Sequence, residues 1–287
     1  MNKNHSFWSN WRERIILAGV FIALGSLIML VFSPWQPLLD PVEDYLGRLG
    51  VITVLLLVIW VIRRTQTYRK YLPVLNGLLI LVAAVSLDWI IGNYYVDTLG
   101  LSGNNPINIA FQKLNECAVI LSVVISLTYL SGGNLASIYI QKGNLQTGLR
   151  IGLIAFVVSI ILSVPMANSL FNAHSLTITR IMPWIPWILI FVLANAALEE
   201  ILFRGLFLRK LEPFFGKFAS NFLVALVFTV IHGTVSYTAD QYLFLAILFP
   251  LALVWGYLMQ NTEGVWSSIL FHAGGDIAII LGIFSNL

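Results

Sequence analysis

Charge is what this 287-residue chain has least of: Asp, Glu, Lys and Arg make up 10% of it, against roughly 25% in a soluble globular domain. That scarcity excludes a solvated globular surface, and it excludes a disordered or coiled-coil chain as well. Cysteine is nearly missing. The single Cys117 excludes an intrachain disulfide, and no Cys/His cluster has zinc-finger spacing. The surplus of cations is small, a formal net charge of +3, and it lies in short clusters between apolar runs. Such clusters orient a membrane protein; they are not the stripe that a nucleic acid requires, so no nucleic-acid partner is expected.

What remains is apolar. Hydrophobic residues make up 59% of the chain, mean hydropathy is +0.87, and runs of about 20 apolar residues recur, the length that crosses a bilayer. The expected fold is an all-α, polytopic transmembrane bundle of about eight or nine spans. Candidate spans fall at about 15–32, 46–62, 72–91, 107–130, 149–166, 183–208, 218–234, 242–259 and 265–284. The first has the basic flank of a signal peptide (Lys3, Arg12, Arg14) but the length of a full span and no small-residue cleavage site, so it reads as a signal anchor. Ser33-Pro34-Trp35-Gln36-Pro37 after it reads as a helix end with an interfacial Trp.

Lys and Arg resist translocation, so their loops mark the cytoplasmic side. Arg63, Arg64, Arg69, Lys70, Lys142, Arg150, Arg204, Arg209, Lys210 and Lys217 all join Lys3, Arg12 and Arg14 on one side, leaving only Arg48 and Arg180 opposite, with Lys113 inside the fourth span. A multi-pass plasma-membrane protein with a cytoplasmic N-terminus is expected. The loops at 131–147 and 168–180 divide the chain into an N-terminal helical region, 1–165, and a C-terminal group of helices, 183–284.

Ionisable residues inside spans cost roughly 2.5–3.5 kcal/mol each on insertion scales, so each one needs a partner or a purpose. Lys113 and Glu116, three apart, can neutralise each other, and Asp88 lies near a helix end from which it can reach the interface. The C-terminal set is richer. Glu199 and Glu200 are adjacent in an apolar helix and must point about 100° apart. Arg204, four beyond Glu200, can pair with it and leave Glu199 facing elsewhere. His232 ends the next span, and His272 and Asp276 share one face of the last. If hairpins turn near 213–216 and 261–264, Glu199 and His232 each lie about 24 Å of rise from the first turn, and His272 and Asp276 about 12 and 18 Å from the second. With the basic turn projecting about 10 Å outside the bilayer, all four groups fall at one depth and can line one pocket.

A carboxylate and an imidazole can activate water, and a second His with a carboxylic or amide group can stabilise an oxyanion. That is hydrolysis of an acyl or peptide bond. The same residues also permit a His₂Glu zinc set of Glu199, His232 and His272. The His-Glu-x-x-His zincin signature is absent, and so is a Gly-x-Ser-x-Gly nucleophile elbow. An aspartyl protease built on Asp88 and Asp276 is disfavoured because Ala273-Gly274-Gly275-Asp276 lacks the first Gly of Gly-x-Gly-Asp. A transporter or proton relay is a further use of buried carboxylates and histidines.

The ordered trio Glu199-Glu200-x-x-x-Arg204, Phe228-x-x-x-His232 and His272-x-x-x-Asp276 resembles the three motifs of the CPBP family, the type II CAAX prenyl endopeptidases and the bacteriocin-processing or immunity proteins. The resemblance covers roughly 183–284. Asp276 departs from the prenyl endopeptidases, which have Asn there. The resemblance implies an intramembrane endopeptidase acting on a membrane-associated protein or peptide. In it Glu199 and His232 activate water, His272 and Asp276 support the oxyanion, and Glu200 and Arg204 brace the site. It leaves the cofactor open between none and a divalent metal such as zinc. The alternative it carries is a non-catalytic immunity or scaffold protein.

Overall fold

A computed structural model describes residues 3–32 and 38–287, with side chains from residue 11 onward; the helix end and Trp anchor expected at 33–37 lie outside the described residues. All regular structure among them is helical. The helices are α1 Lys3–Val31, α2 Pro41–Arg64, α3 Leu72–Leu87, α4 Asn93–Thr98, α5 Pro106–Leu130, α6 Leu145–Leu170, α7 Ile178–Ile181, α8 Ile185–Glu199, α9 Leu206–Ile231, α10 Gln241–Thr262 and α11 Trp266–Ser285. Starts and stops follow local chemistry. Asn105, Asn144 and Asp240 cap α5, α6 and α10 by accepting the backbone N–H three residues on, and Pro41 and Pro106 take first-turn positions where no N–H is needed. Glu263, at φ 53°, stops α10.

Eight helical stretches are long and apolar enough to cross a membrane. The count falls one short of nine because Ile178–Thr234, 57 residues, is continuous as helix but not straight. It breaks at Gly216, whose φ of 74° and ψ of 174° few L-residues tolerate, three residues after Pro213. The chain folds back there. Phe203 and Arg204 before the break pack on Phe228 after it, at ring-centroid distances of 5.2 and 4.1 Å. These partners lie symmetrically about Gly216, so the expected hairpin at 213–216 is present and its two arms are the expected spans 183–208 and 218–234.

The C-terminal helix α11 is buried along most of its length, against α6, α8 and α10. Small residues set the closeness of α6 to α11: a Cβ on Gly152 would meet Leu270 at 2.8 Å, and one on Gly274 would meet Ser159 at 2.8 Å. The arm α9 packs on α1 and α10, with Phe21 edge-on to Phe207 at 5.0 Å, while α5 lies along α8. Outward faces of α2 and α6, including Val54, Leu57, Ile154 and Ile161, stay exposed and apolar, as lipid contact requires.

Two polar residues differ from expectation. Asp88 does not reach an interface: it is buried where the helix switches to a π-helical turn, Asp88–Gly92. Arg48 is no loop cation. The helix α2 starts before it, and its buried guanidinium pairs with Asp44 at 2.7 Å and donates to the Phe32 carbonyl at 2.9 Å.

Candidate active site

The residues that link α8 to α9, Glu200–Gly205, form a π-helical turn. Such a turn admits one extra residue and re-aims the side chains around it, and it occurs often at functional sites. Gly205 closes it because a Cβ there would press on the Ile138 carbonyl at 3.0 Å. Glu199 ends the α-helical part and Glu200 opens the π turn, so the two carboxylates leave the chain in different directions.

Glu200 is fully buried and takes two partners through one oxygen. Arg204 Nη1 donates to its Oε1 at 2.9 Å, and His272 Nδ1 lies 2.8 Å from the same atom. A carboxylate oxygen with two lone pairs accepts both. Arg204 is also fully buried, lies over the rings of Phe228 and Trp255 at 4.1 and 5.3 Å, and donates to the Ala252 carbonyl at 3.4 Å. The expected Glu200–Arg204 pair therefore extends to α11 and α10. The bracing group reaches His272 directly.

His272 stacks on Trp255 at 3.9 Å and 8° between planes. With Nδ1 on Glu200, its Nε2 lies 3.4 Å from Glu199 Oε2 and 3.6 Å from Asp276 Oδ1. Asp276 is held from the other side by Asn195, whose Nδ2 donates to Oδ2 at 3.0 Å. Glu199, Glu200, His272 and Asp276 thus form one cluster supplied by α8, the π turn and α11. His232 is brought to the same cavity without bonding to Glu199. Its Nδ1 lies 2.7 Å from the Phe228 carbonyl, which can only accept, so Nδ1 carries a proton, and in the neutral imidazole Nε2 keeps its lone pair.

The cavity has a volume of about 290 Å³, and its wall includes Glu199, His232, His272 and Asp276 together with Asn195, Lys113 and Tyr237. Phe171, Phe191, Phe244 and Ile279 supply much of its apolar lining. Convergent polar groups in an apolar cleft are the usual form of a binding site. Two contributors escaped the sequence reading. Asn195, an amide in the middle of an apolar helix and four residues before Glu199, carried a usable signal: same face, one turn away. Trp255 carried none, because an aromatic in a span reads as packing.

The donors for a zinc set were tested on their placement. Zinc requires ligand nitrogens and oxygens at about 2.0–2.2 Å from one point. Among the described residues no three His, Cys, Asp or Glu side chains gather in that way; His272 is committed to Glu200, and His232 stands apart from Glu199. The His₂Glu set of Glu199, His232 and His272 does not fit, and a metalloendopeptidase finds no support in this geometry.

No curated protein and no solved structure gives a match to the chain. A family model does, and its match runs from Ile181 in α7 to Ala278 in α11, enclosing all three motifs. Glu199, Glu200, Arg204, His232, His272 and Asp276 all lie inside that stretch, so residues 181–278 are similar to the type II CAAX prenyl endopeptidase Rce1-like family, and the match supports the CPBP/CAAX protease family.

Proposed function

We propose that the protein is an intramembrane endopeptidase that hydrolyses a peptide bond of a membrane-associated protein or peptide. The family suggests protease activity of the CAAX type. One observation carries the reading: three buried carboxylates, one arginine and one histidine from α8, the π turn and α11 form a single cluster within ion-pair distance, three of whose carboxylate and imidazole groups face a cavity that also holds His232. Buried charges at that density are costly, and packing alone is served better by apolar groups.

In the proposed reaction a water molecule in the cavity donates one hydrogen bond to Glu199 and one to His232 Nε2. Its oxygen attacks the scissile carbonyl carbon while Glu199 takes a proton. The tetrahedral oxyanion is met by donors, which Asp276 itself cannot be in ionised form. Asp276 instead positions them: it engages one N–H of Asn195 and lies beside His272 Nε2, leaving the second amide N–H of Asn195 for the oxyanion. Glu199 then passes its proton to the leaving amine as the C–N bond breaks. Glu200 and Arg204 act as positioning residues through His272.

The catalytic region is proposed as 183–284, with the basic end of the bundle in the cytoplasm. Arg63, Arg69, Lys70, Arg209 and Lys210, from separate turns, line one cavity at that end, as a cytoplasmic face requires. Comparison of the protein termini in membranes holding wild type or Glu199→Gln tests the function. A protein that loses its processed terminus in the variant is expected. Unchanged termini beside a folded variant would overturn the reading, and a variant that fails to fold would favour a scaffold.

A further inference from the structure

A separate cavity meets the first arm of α9, whereas the proposed catalytic one meets the second arm, and the two share no wall residue. It has a volume of about 800 Å³ and is enclosed by α1, the turn between α2 and α3, the end of α5 and the first arm of α9. Six cations line it, Arg14, Arg63, Arg69, Lys70, Arg209 and Lys210, with a single carboxylate, Glu13. Glu13 is taken by Lys70 at 2.7 Å and by the Tyr71 hydroxyl at 3.1 Å, and Arg209 pairs with Glu263 outside. Arg69 donates to the Arg63 carbonyl and Lys210 to the Leu206 carbonyl. Arg14 and Arg63 make no ion pair among the described residues. So concentrated a charge calls for an anion.

A second, apolar cavity of about 660 Å³ opens from the first. Arg63, Asn76, Ile80 and Ser131 line both. The groove runs along α2 from Arg63 to Thr53, between α3 and α5. Ten residues of helix rise about 15 Å, half of the roughly 30 Å hydrocarbon core. The groove is therefore one leaflet deep. Leu56, Leu57 and Trp60 are about half exposed along it, and Trp60 lies under the Arg64 guanidinium at 3.8 Å, as an interfacial Trp does.

We infer that these joined cavities bind an anionic phospholipid, its phosphate headgroup among Arg14, Arg63 and the neighbouring cations and an acyl chain in the groove along α2. Basic pockets between transmembrane helices hold acidic headgroups in this way. A free anion would use the charge and leave the groove without purpose.

The test uses the full chain in detergent, with retained lipid counted by native mass spectrometry and Tm measured in parallel. Dioleoyl phosphatidylglycerol should be retained and should raise Tm by several degrees, whereas phosphatidylcholine should do neither. Arg14→Gln and Arg63→Gln, both exposed and free of ion pairs, should keep the lipid-free Tm, and each should weaken phosphatidylglycerol binding roughly five-fold. The dihexanoyl form should bind at least about ten-fold more weakly than the dioleoyl form, since it leaves most of the groove unfilled. Arg150→Gln, on the far helix α6, should bind as wild type does. Equal retention of phosphatidylcholine, an equal loss in Arg150→Gln, or the same Tm rise with inorganic phosphate alone would overturn the inference.

Discussion

The protein holds ionisable side chains in two regions of its membrane-buried interior, and the second adds to the first region's device a set of contacts between helices. In the N-terminal helices charge is cancelled along one helix: Asp44 with Arg48 in α2 at 2.7 Å, and Lys113 with Glu116 in α5 at 2.6 Å. In the C-terminal helices the i,i+4 pair of Glu200 with Arg204 is tied across helices as well: Glu200 and Glu199 both meet His272, and Asp276 accepts a hydrogen bond from Asn195. A pair at i,i+3 or i,i+4 forms whenever its helix forms and places no demand on the neighbours. A pair between helices holds only if depth and rotation are fixed, which suits a site that must present several groups to one bound atom. Lys113 marks the meeting of the two, since its helix partner neutralises it while it also lines the proposed catalytic cavity.

The largest effect separates the two regions by activity alone. Glu199→Gln keeps the size and hydrogen-bonding ability of the side chain and removes the base. Turnover of a fluorogenic substrate should fall by about 10³-fold, within the range for general acid–base groups, while Tm in detergent moves by no more than a degree or two. An equal fall in Tm would assign Glu199 to the structural class of Asp44. Asn195→Ala comes next. It removes the proposed oxyanion donor and should lower kcat by roughly 10²-fold; a change confined to KM would mean that the amide only contacts substrate.

Stability gives the third contrast. Arg204→Ala leaves Glu200 buried with His272 alone, and Arg48→Ala leaves the buried Asp44 carboxylate without its ion-pair partner; each should cost about 3–5 kcal/mol in denaturant or thermal unfolding. They should part in what survives. The folded fraction of Arg48→Ala should turn over substrate normally, whereas that of Arg204→Ala should be slow, because His272 shares its Glu200 anchor with Arg204. Normal turnover in both would reduce the Glu200–Arg204 pair to a helix brace of the N-terminal kind.

This contrast also explains what sequence could and could not convey. Pairs within one helix were legible from spacing: Glu200 with Arg204 and Lys113 with Glu116. So was the hairpin at 213–216, because Pro213 and Gly216 supply the chemistry of a break, and counting rise put Glu199, His232, His272 and Asp276 at one level, consistent with the single cavity that all four line. Contacts between helices were not. The rotation of α8 that brings Asn195 to Asp276, and the stacking of Trp255 on His272, depend on how helices face one another. Spacing within a helix does not fix that. Asp88 and Arg48 were misplaced for a related reason, since helix ends were uncertain by a few residues and burial turns on those residues.

The smallest expected effect is none, and it bears on what organises the C-terminal cluster. A metal shared by His232 and His272 would need both Nε2 atoms within about 2.1 Å of one point, hence within about 4 Å of each other. His272 instead has Nδ1 on Glu200, its face on Trp255 and Nε2 between Glu199 and Asp276, all fixed by protein groups. In the proposed mechanism hydrogen bonds and stacking hold this cluster without a metal. Prolonged dialysis against EDTA or 1,10-phenanthroline should leave both turnover and Tm at the untreated values. A loss that zinc restores would require His272 to leave the carboxylates, and it would replace the proposed water activation with a metal-based one.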